Sequence, residues 1–139
     1  MSWDAVLLRI RGPIRPVEDL ADEDYQPLGD PESVATAIRA AFPSARWESP
    51  TDACYVLDEY TAVRIELKHI VSSNSLHVTV SGPGDPIPAL LALTNANGWV
   101  ILDCQTTEFI NPANPSYEGW SGYNSLRRKA LDDIRKAER

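Results

Sequence analysis

The sequence predicts an α+β fold, a mostly antiparallel sheet with two helices on one face plus a C-terminal helix. Three observations predict it. Two helical stripes, one from Val34 to Phe42 and one from Ile87 to Thr94, are separated by strand-like runs. Neighbouring strand runs are joined by short polar links, as in hairpins, and two of them alternate strictly between apolar and polar residues, which leaves one sheet face wet. With 139 residues, 43% of them hydrophobic and 24% charged, the chain has the composition of one globular domain spanning 1–139.

Taken in order, Trp3 to Arg11 is a strand whose Val6-Leu7-Leu8 centre is apolar on both faces, until Gly12-Pro13 and Pro16 stop it. Ile14 to Gly29 is polar, acidic and aperiodic, hence a loop. Asp30-Pro31 starts a helix as N-cap and first-turn proline. Val34, Ala37, Ile38, Ala41 and Phe42 form its buried stripe, and Pro43 ends it. A short extended piece around Arg46-Trp47-Glu48 precedes a strand from Cys54 to Leu57. Val63, Ile65 and Leu67 alternate with Arg64, Glu66 and Lys68, and Leu76, Val78 and Val80 alternate with His77, Thr79 and Ser81. Ser72-Ser73-Asn74-Ser75 links these two runs as a hairpin.

Ser81-Gly82-Pro83-Gly84 is a turn, and Asp85-Pro86 repeats the cap-and-proline signature before a stripe of Ile87, Leu90, Leu91 and Thr94. Asn97-Gly98 supplies a left-handed stop. Trp99 to Cys104 is a second strand apolar on both faces. After the breaker-rich Asn111 to Pro115, a last helix begins at Tyr117 or Tyr123, with Leu126, Ala130, Leu131 and Ile134 facing inward and its cations at the negative end of the helix dipole. The order β-α-β-β-β-α-β-α suggests a ferredoxin-like variant, with the two all-apolar strands central and the hairpin strands toward an edge.

Charge is unevenly placed within a net of −7. Glu18 to Glu32 holds seven acids and no base, whereas Arg127 to Arg139 holds six bases against three acids. Residues 1–126 carry 17 acids against 7 bases, a body that repels phosphate backbones and argues against nucleic-acid binding. The opening Met1-Ser2-Trp3-Asp4 lacks a basic leader, and no run approaches the ~18 apolar residues of a membrane span, so a cytoplasmic protein away from membranes is expected. Cys54 and Cys104 lie in strand-like runs and read as buried, reduced, unreactive thiols.

Chemistry-bearing patterns are sparse. His69 and His77 are the two histidines, and no HxH, HxxxH or CxxC spacing supports a metal. No GxSxG is present. The turn Ser81 to Asp85 leads into a helix N-terminus, but Asp85 itself would occupy the anion position there. The adjacent acids Asp58-Glu59 and Asp22-Glu23-Asp24 read as solvated turns. No catalytic residue, metal or cofactor is therefore expected.

Surface character remains. Glu18, Asp19, Asp22, Glu23 and Asp24 run into Tyr25, and Trp47, Tyr60, Tyr117, Trp120 and Tyr123 lie in or beside loops. Acids that speed encounter and rings that hold a complex suit a basic protein partner, with Glu18, Asp19, Asp22, Glu23, Asp24, Tyr25, Trp47, Tyr60 and Trp120 as the contact candidates. The segment Asn97-Gly98-Trp99-Val100-Ile101-Leu102-Asp103 through Glu108-Phe109-Ile110, together with Met-Ser-Trp-Asp and the strand after it, resembles a loose group of small, acidic, uncharacterised bacterial proteins. In these a Thr-Gly-Glu-Phe-like hairpin follows the strand, and here Thr107 stands at the glycine position. Some of them resemble the immunity partners of secreted antibacterial toxins. The resemblance implies an immunity partner and assigns no catalytic residue. With the acidic loop, the loop aromatics and the lack of a catalytic constellation, the expectation is a non-enzymatic protein that neutralises a basic toxin domain.

Two other readings stand beside this one. A small enzyme or small-molecule binder would use the polar sheet face around Arg64, Glu66, Lys68, His69 and His77, with the C-terminal helix folded over it. An adaptor would use the amphipathic C-terminal helix as its contact. The oligomeric state is left open.

Overall fold

Side-chain alternation builds the sheet. In the computed structural model, which describes residues 1–70 and 73–138, β1 (Trp3–Ile10) buries Trp3, Ala5 and Leu7 on one face and turns Asp4 and Val6 to the other. After it come β2 (Tyr25–Gln26), α1 (Pro31–Ala41), β3 (Arg46–Ser49), β4 (Asp52–Asp58), β5 (Thr61–Ile70), β6 (Ser73–Ser81), α2 (Ile87–Asn97), β7 (Val100–Asp103), β8 (Glu108–Ile110) and α3 (Glu118–Ala137). The strands lie in the order β3-β4-β5-β6-β1-β7-β8, with β2 paired to the end of β1, and every pairing is antiparallel. Set aside β2, β3, β4, β8 and α3, and the remaining β1-α1-β5-β6-α2-β7 has the interleaved order of a ferredoxin-like split βαβ unit.

Register carries one apolar face across the whole sheet. Trp3 opposes Val80, Ala5 opposes Val78 and Leu7 opposes Leu76, while Val63, Ile65 and Leu67 continue the rows on β5 and Ile101 and Ile110 continue them beyond β1. All three helices contribute to the single core on this face: Val34, Ile38 and Phe42 from the α1 region, Ile87, Leu90 and Leu93 from α2, and Trp120 and Tyr123 from α3.

The hairpin β5–β6 lies at the centre of the sheet, not toward an edge, because β3 and β4 extend it on one side and β7 and β8 on the other. The expected link is also shorter. Ser73, Asn74 and Ser75 belong to β6, Asn74 and Ser75 are buried, and Val71 and Ser72 lie outside the described residues. The polarity of Ser73–Ser75 masks their strand period and suggests a linker, yet Asn74 has buried hydrogen-bond partners that satisfy it.

Asp30 caps α1 through Ser33, whose backbone N–H and hydroxyl donate to its carboxylate and hold that carboxyl below its usual range. α2 starts one residue later than its sequence suggests, with Asp85 accepting from the Ile87 N–H, and ends on Gly98 in the left-handed conformation (φ 69°). In α3 the outcome differs from expectation. Leu126, Leu131 and Ile134 are 54%, 38% and 55% exposed and Ala130 is half-buried, because the fully buried residues of the helix, Gly119, Trp120 and Tyr123, all lie in its first two turns. Among the described residues, no helix is long and apolar enough to cross a membrane.

Candidate functional site

The acidic segment between β1 and α1 is built, not loose. Arg15 staples it: its guanidinium donates to the carbonyls of Arg11 (2.8 Å) and Pro13 (2.9 Å) and pairs with Asp24 at 3.2 Å. The Asp24 carboxylate also accepts from the Ala21 N–H, and the Arg11 N–H donates to the Asp24 carbonyl. Two short helical turns, at Val17–Asp19 and Asp22–Asp24, lead into β2, where Tyr25 opposes Ile10 and Gln26 opposes Arg9. The buried Asn74 of β6 ties down the chain between β2 and α1, accepting from the Leu28 N–H at 2.7 Å and donating to the Gly29 carbonyl at 2.8 Å.

These bonds employ Asp24 inside the fold and leave Glu18, Asp19, Asp22 and Glu23 exposed, with no ion pair to any of the four among the described residues. Between this lobe and β8 lies a cleft of about 360 Å³. Ile14, Pro16, Val17 and Phe109 give it apolar surface, and Glu18 and Glu108 stand on its two walls. Thr107 and Arg15, whose guanidinium is engaged by Asp24 and the Arg11 and Pro13 carbonyls, complete the lining. Phe109 is half-buried and is absent from the contact residues that the sequence suggests. Its signal is the strand alternation Glu108-Phe109-Ile110, which sends Ile110 into the core and Phe109 to the opposite face.

The other expected contact residues do not gather here. Tyr25 is half-buried on β2 beside the lobe. Trp47 packs on the core face at the far edge of the sheet, covered by the Arg39 guanidinium 4.6 Å from its ring. Tyr60 is 72% exposed at the β4–β5 turn. Trp120 is 6% exposed and meets Trp3 edge-on at 6.1 Å, so it is a core residue and no partner contact. Tyr123 is likewise buried, its hydroxyl accepting from the Gly82 N–H and donating to the Gly82 carbonyl. A place next to a loop in sequence did not prevent either ring from reaching the core.

The polar sheet face carries Arg64, Glu66, Lys68 and His77, with Glu66 opposite His77. Lys68 pairs with Glu66 at 3.0 Å, and Arg64 lies 4.0 Å from Glu48. A hollow of about 280 Å³ lies among Cys54, Ala62, Arg64, Glu66, Thr79 and Ser81. The C-terminal helix does not close over it, since Trp120 and Tyr123 seat α3 on the opposite face. The side chain of His69 lies outside the described residues. Among the described residues, no group of three His, Cys, Asp or Glu side chains could hold a metal.

Cys104 is exposed in the β7–β8 turn, not buried as its apolar neighbours suggest, because β7 ends one residue earlier. Partial burial and the carboxylates of Asp4 and Asp103 push its thiol up, away from reactivity. Among the described residues Asp103 is the one buried acid, 3% exposed. It accepts from the Trp3 indole N–H at 3.2 Å and the Gln105 N–H at 2.8 Å, and Gly119 of α3 sits directly against its carboxylate. Burial raises its pKa against these hydrogen bonds, with nearby Glu118 adding to the rise. It borders neither the lobe cleft nor the polar-face hollow, so its geometry is that of a strut between β1, β7 and α3. No family model matches the chain, no curated protein matches it in sequence, and no solved structure matches it in fold.

Proposed function

We propose that this domain is a non-enzymatic protein-binding module that docks a basic segment of another protein in the cleft between the acidic lobe and β8. One observation carries the reading: a half-apolar cleft walled by Glu18 and Glu108, its one cation Arg15 already engaged by Asp24, lies on a lobe whose carboxylates Asp19, Asp22 and Glu23 are exposed and whose backbone is held internally. A lysine or arginine suits such a cleft, its stem against Ile14 and Phe109 and its charge between the two glutamates. Fixed carboxylates accelerate encounter with a cationic surface, and a lobe already ordered loses little entropy on docking.

The finer reading is an immunity role, in which the partner is a basic toxin domain and the complex blocks it in the cytoplasm. Its support is the charge of the lobe and the resemblance of the Gly98–Ile110 segment. Co-expression with toxin-like proteins encoded nearby tests it. Expected is rescue of growth by the native chain and loss of rescue with Phe109→Asp or with Glu18→Lys/Glu108→Lys. Persisting toxicity beside the native chain, or rescue by all variants alike, defeats the proposal.

A further inference from the structure

The first turns of α3 are buried, and the rest is not. Ser125 to Ala137 is 13 residues of helix, about 20 Å. The stripe that buries Trp120 and Tyr123 continues with helical spacing through Arg127 and Ala130, which are half-buried, to Leu131 and Ile134, which are exposed. Beside the start of this stretch is a hollow of about 510 Å³, formed between α3 and the β4–β5 turn. Val56 and Tyr60 give it apolar surface at 68% and 72% exposure, Asp58 and Glu59 give it acid, and Tyr123 and Arg127 are its helical wall.

We infer that these two features are the halves of one homodimer contact, the later turns of α3 from each copy lying in the hollow of the other. Three aspects select a second copy as the occupant. First, charge is complementary within the chain: Ser125 to Ala137 carries Arg127, Arg128, Lys129, Arg135 and Lys136 against Asp132 and Asp133, while Asp58 and Glu59 mark the hollow. Among the described residues, only Arg135 of those five cations has an ion pair, a 3.9 Å contact to Asp132. Second, both sides are apolar where they would meet, Leu131 and Ile134 against Val56 and Tyr60. Third, the halves are adjacent on one chain, with Arg127 common to both, which lets a two-fold axis beside α3 satisfy both at once.

Sedimentation equilibrium across concentration, with Ile134→Asp and Tyr60→Asp as single variants, tests the inference. Both residues are largely exposed, so each variant keeps the fold, with far-UV circular dichroism as the check. The native chain is expected to dimerise, more weakly as salt rises, and each substitution weakens the dimer by about tenfold or more because symmetry places it in both contacts. Mixing the two variants restores dimer, since one of the two contacts in the mixed pair contains neither aspartate. A native chain that stays monomeric at about 0.1 mM, where any contact stronger than about −5.5 kcal/mol would populate dimer, overturns the inference. So does a Tyr60→Asp variant that dimerises like the native chain, which would mean helix-to-helix pairing, or a mixture that stays monomeric.

Discussion

Asp103 offers the sharpest test of how the fold is held. Replacing it by alanine removes the acceptor for the indole N–H of Trp3, a residue with no solvent exposure, and that donor would be left buried and unpaired. Such a loss costs about 1–3 kcal/mol. The Gln105 N–H loses its acceptor too, but in a turn that water can reach, so a further ~0.5–1 kcal/mol is the most it adds. Asparagine keeps an oxygen for the Trp3 and Gln105 donors, which share one carboxylate oxygen, and removes the charge, so Asp103→Asn should stay within about 1 kcal/mol of the native chain at pH 7.

The sign of the pH dependence follows from the raised pKa. Between the ordinary value of 3.8 and its higher value in the fold, the native state binds more protons than the unfolded chain. The Asp103 contribution to stability therefore falls as pH rises through that window and is constant above it. Subtracting the native curve from that of Asp103→Asn removes the background of other carboxylates. The difference should rise with pH and then level off. Urea unfolding of the native chain and both variants from pH 4 to 8 measures it. Equal losses in the alanine and asparagine variants at pH 7, or a difference that does not change with pH, would refute the strut assignment.

Three further substitutions probe particular bonds. Thr107 has φ 59°, a left-handed backbone that costs a β-branched residue about 1–2 kcal/mol; Thr107→Gly recovers that less ~0.4–1 kcal/mol of unfolded-chain entropy, so its urea midpoint rises slightly while Thr107→Ala gives no such rise. Tyr123→Phe strips Gly82 of both partners of its backbone and should cost about 1–3 kcal/mol in thermal or urea unfolding. Asn74→Ala leaves the Leu28 N–H and Gly29 carbonyl unpaired, with a loss of about 2–3 kcal/mol and faster hydrogen exchange at the Leu28 amide, the mark of a loosened lobe.

Much of the fold was legible because it is encoded locally. Asp30-Pro31 and Asn97-Gly98 mark helix ends with residues whose backbone preferences admit few alternatives, and the alternations at Val63–Leu67 and Leu76–Val80 place two strands with the correct face inward. The features that escaped depend on contacts far apart in sequence. Whether Leu126, Leu131 and Ile134 face a core is decided by where the sheet stops, and the helical period alone cannot report it. Trp120 resembles a surface ring in sequence, and contact with Trp3, more than a hundred residues earlier, helps make it a core residue. The lobe acids were visible by count, but their division into Asp24, engaged with Arg15 and Ala21, and the exposed Glu18, Asp19, Asp22 and Glu23 rests on a network of turns. Even the glycine position filled by Thr107 could be read as a departure from pattern without showing that the backbone there is left-handed.

The two docking surfaces lie on different parts of the sheet, which makes their roles separable. The lobe cleft borders β8 and the hollow borders the ends of β4, β5 and β6, so the nearest of these, β6, lies three strand spacings, about 14 Å, from β8. Their rims share no residue, and substitutions this far apart without common partners act independently. Phe109→Asp should abolish partner neutralisation and leave self-association intact. Ile134→Asp should do the reverse, yielding a monomer that still neutralises. If instead Ile134→Asp abolished neutralisation while the fold held, the basic helix would be the partner-binding element, and the acids of the lobe would serve solubility alone.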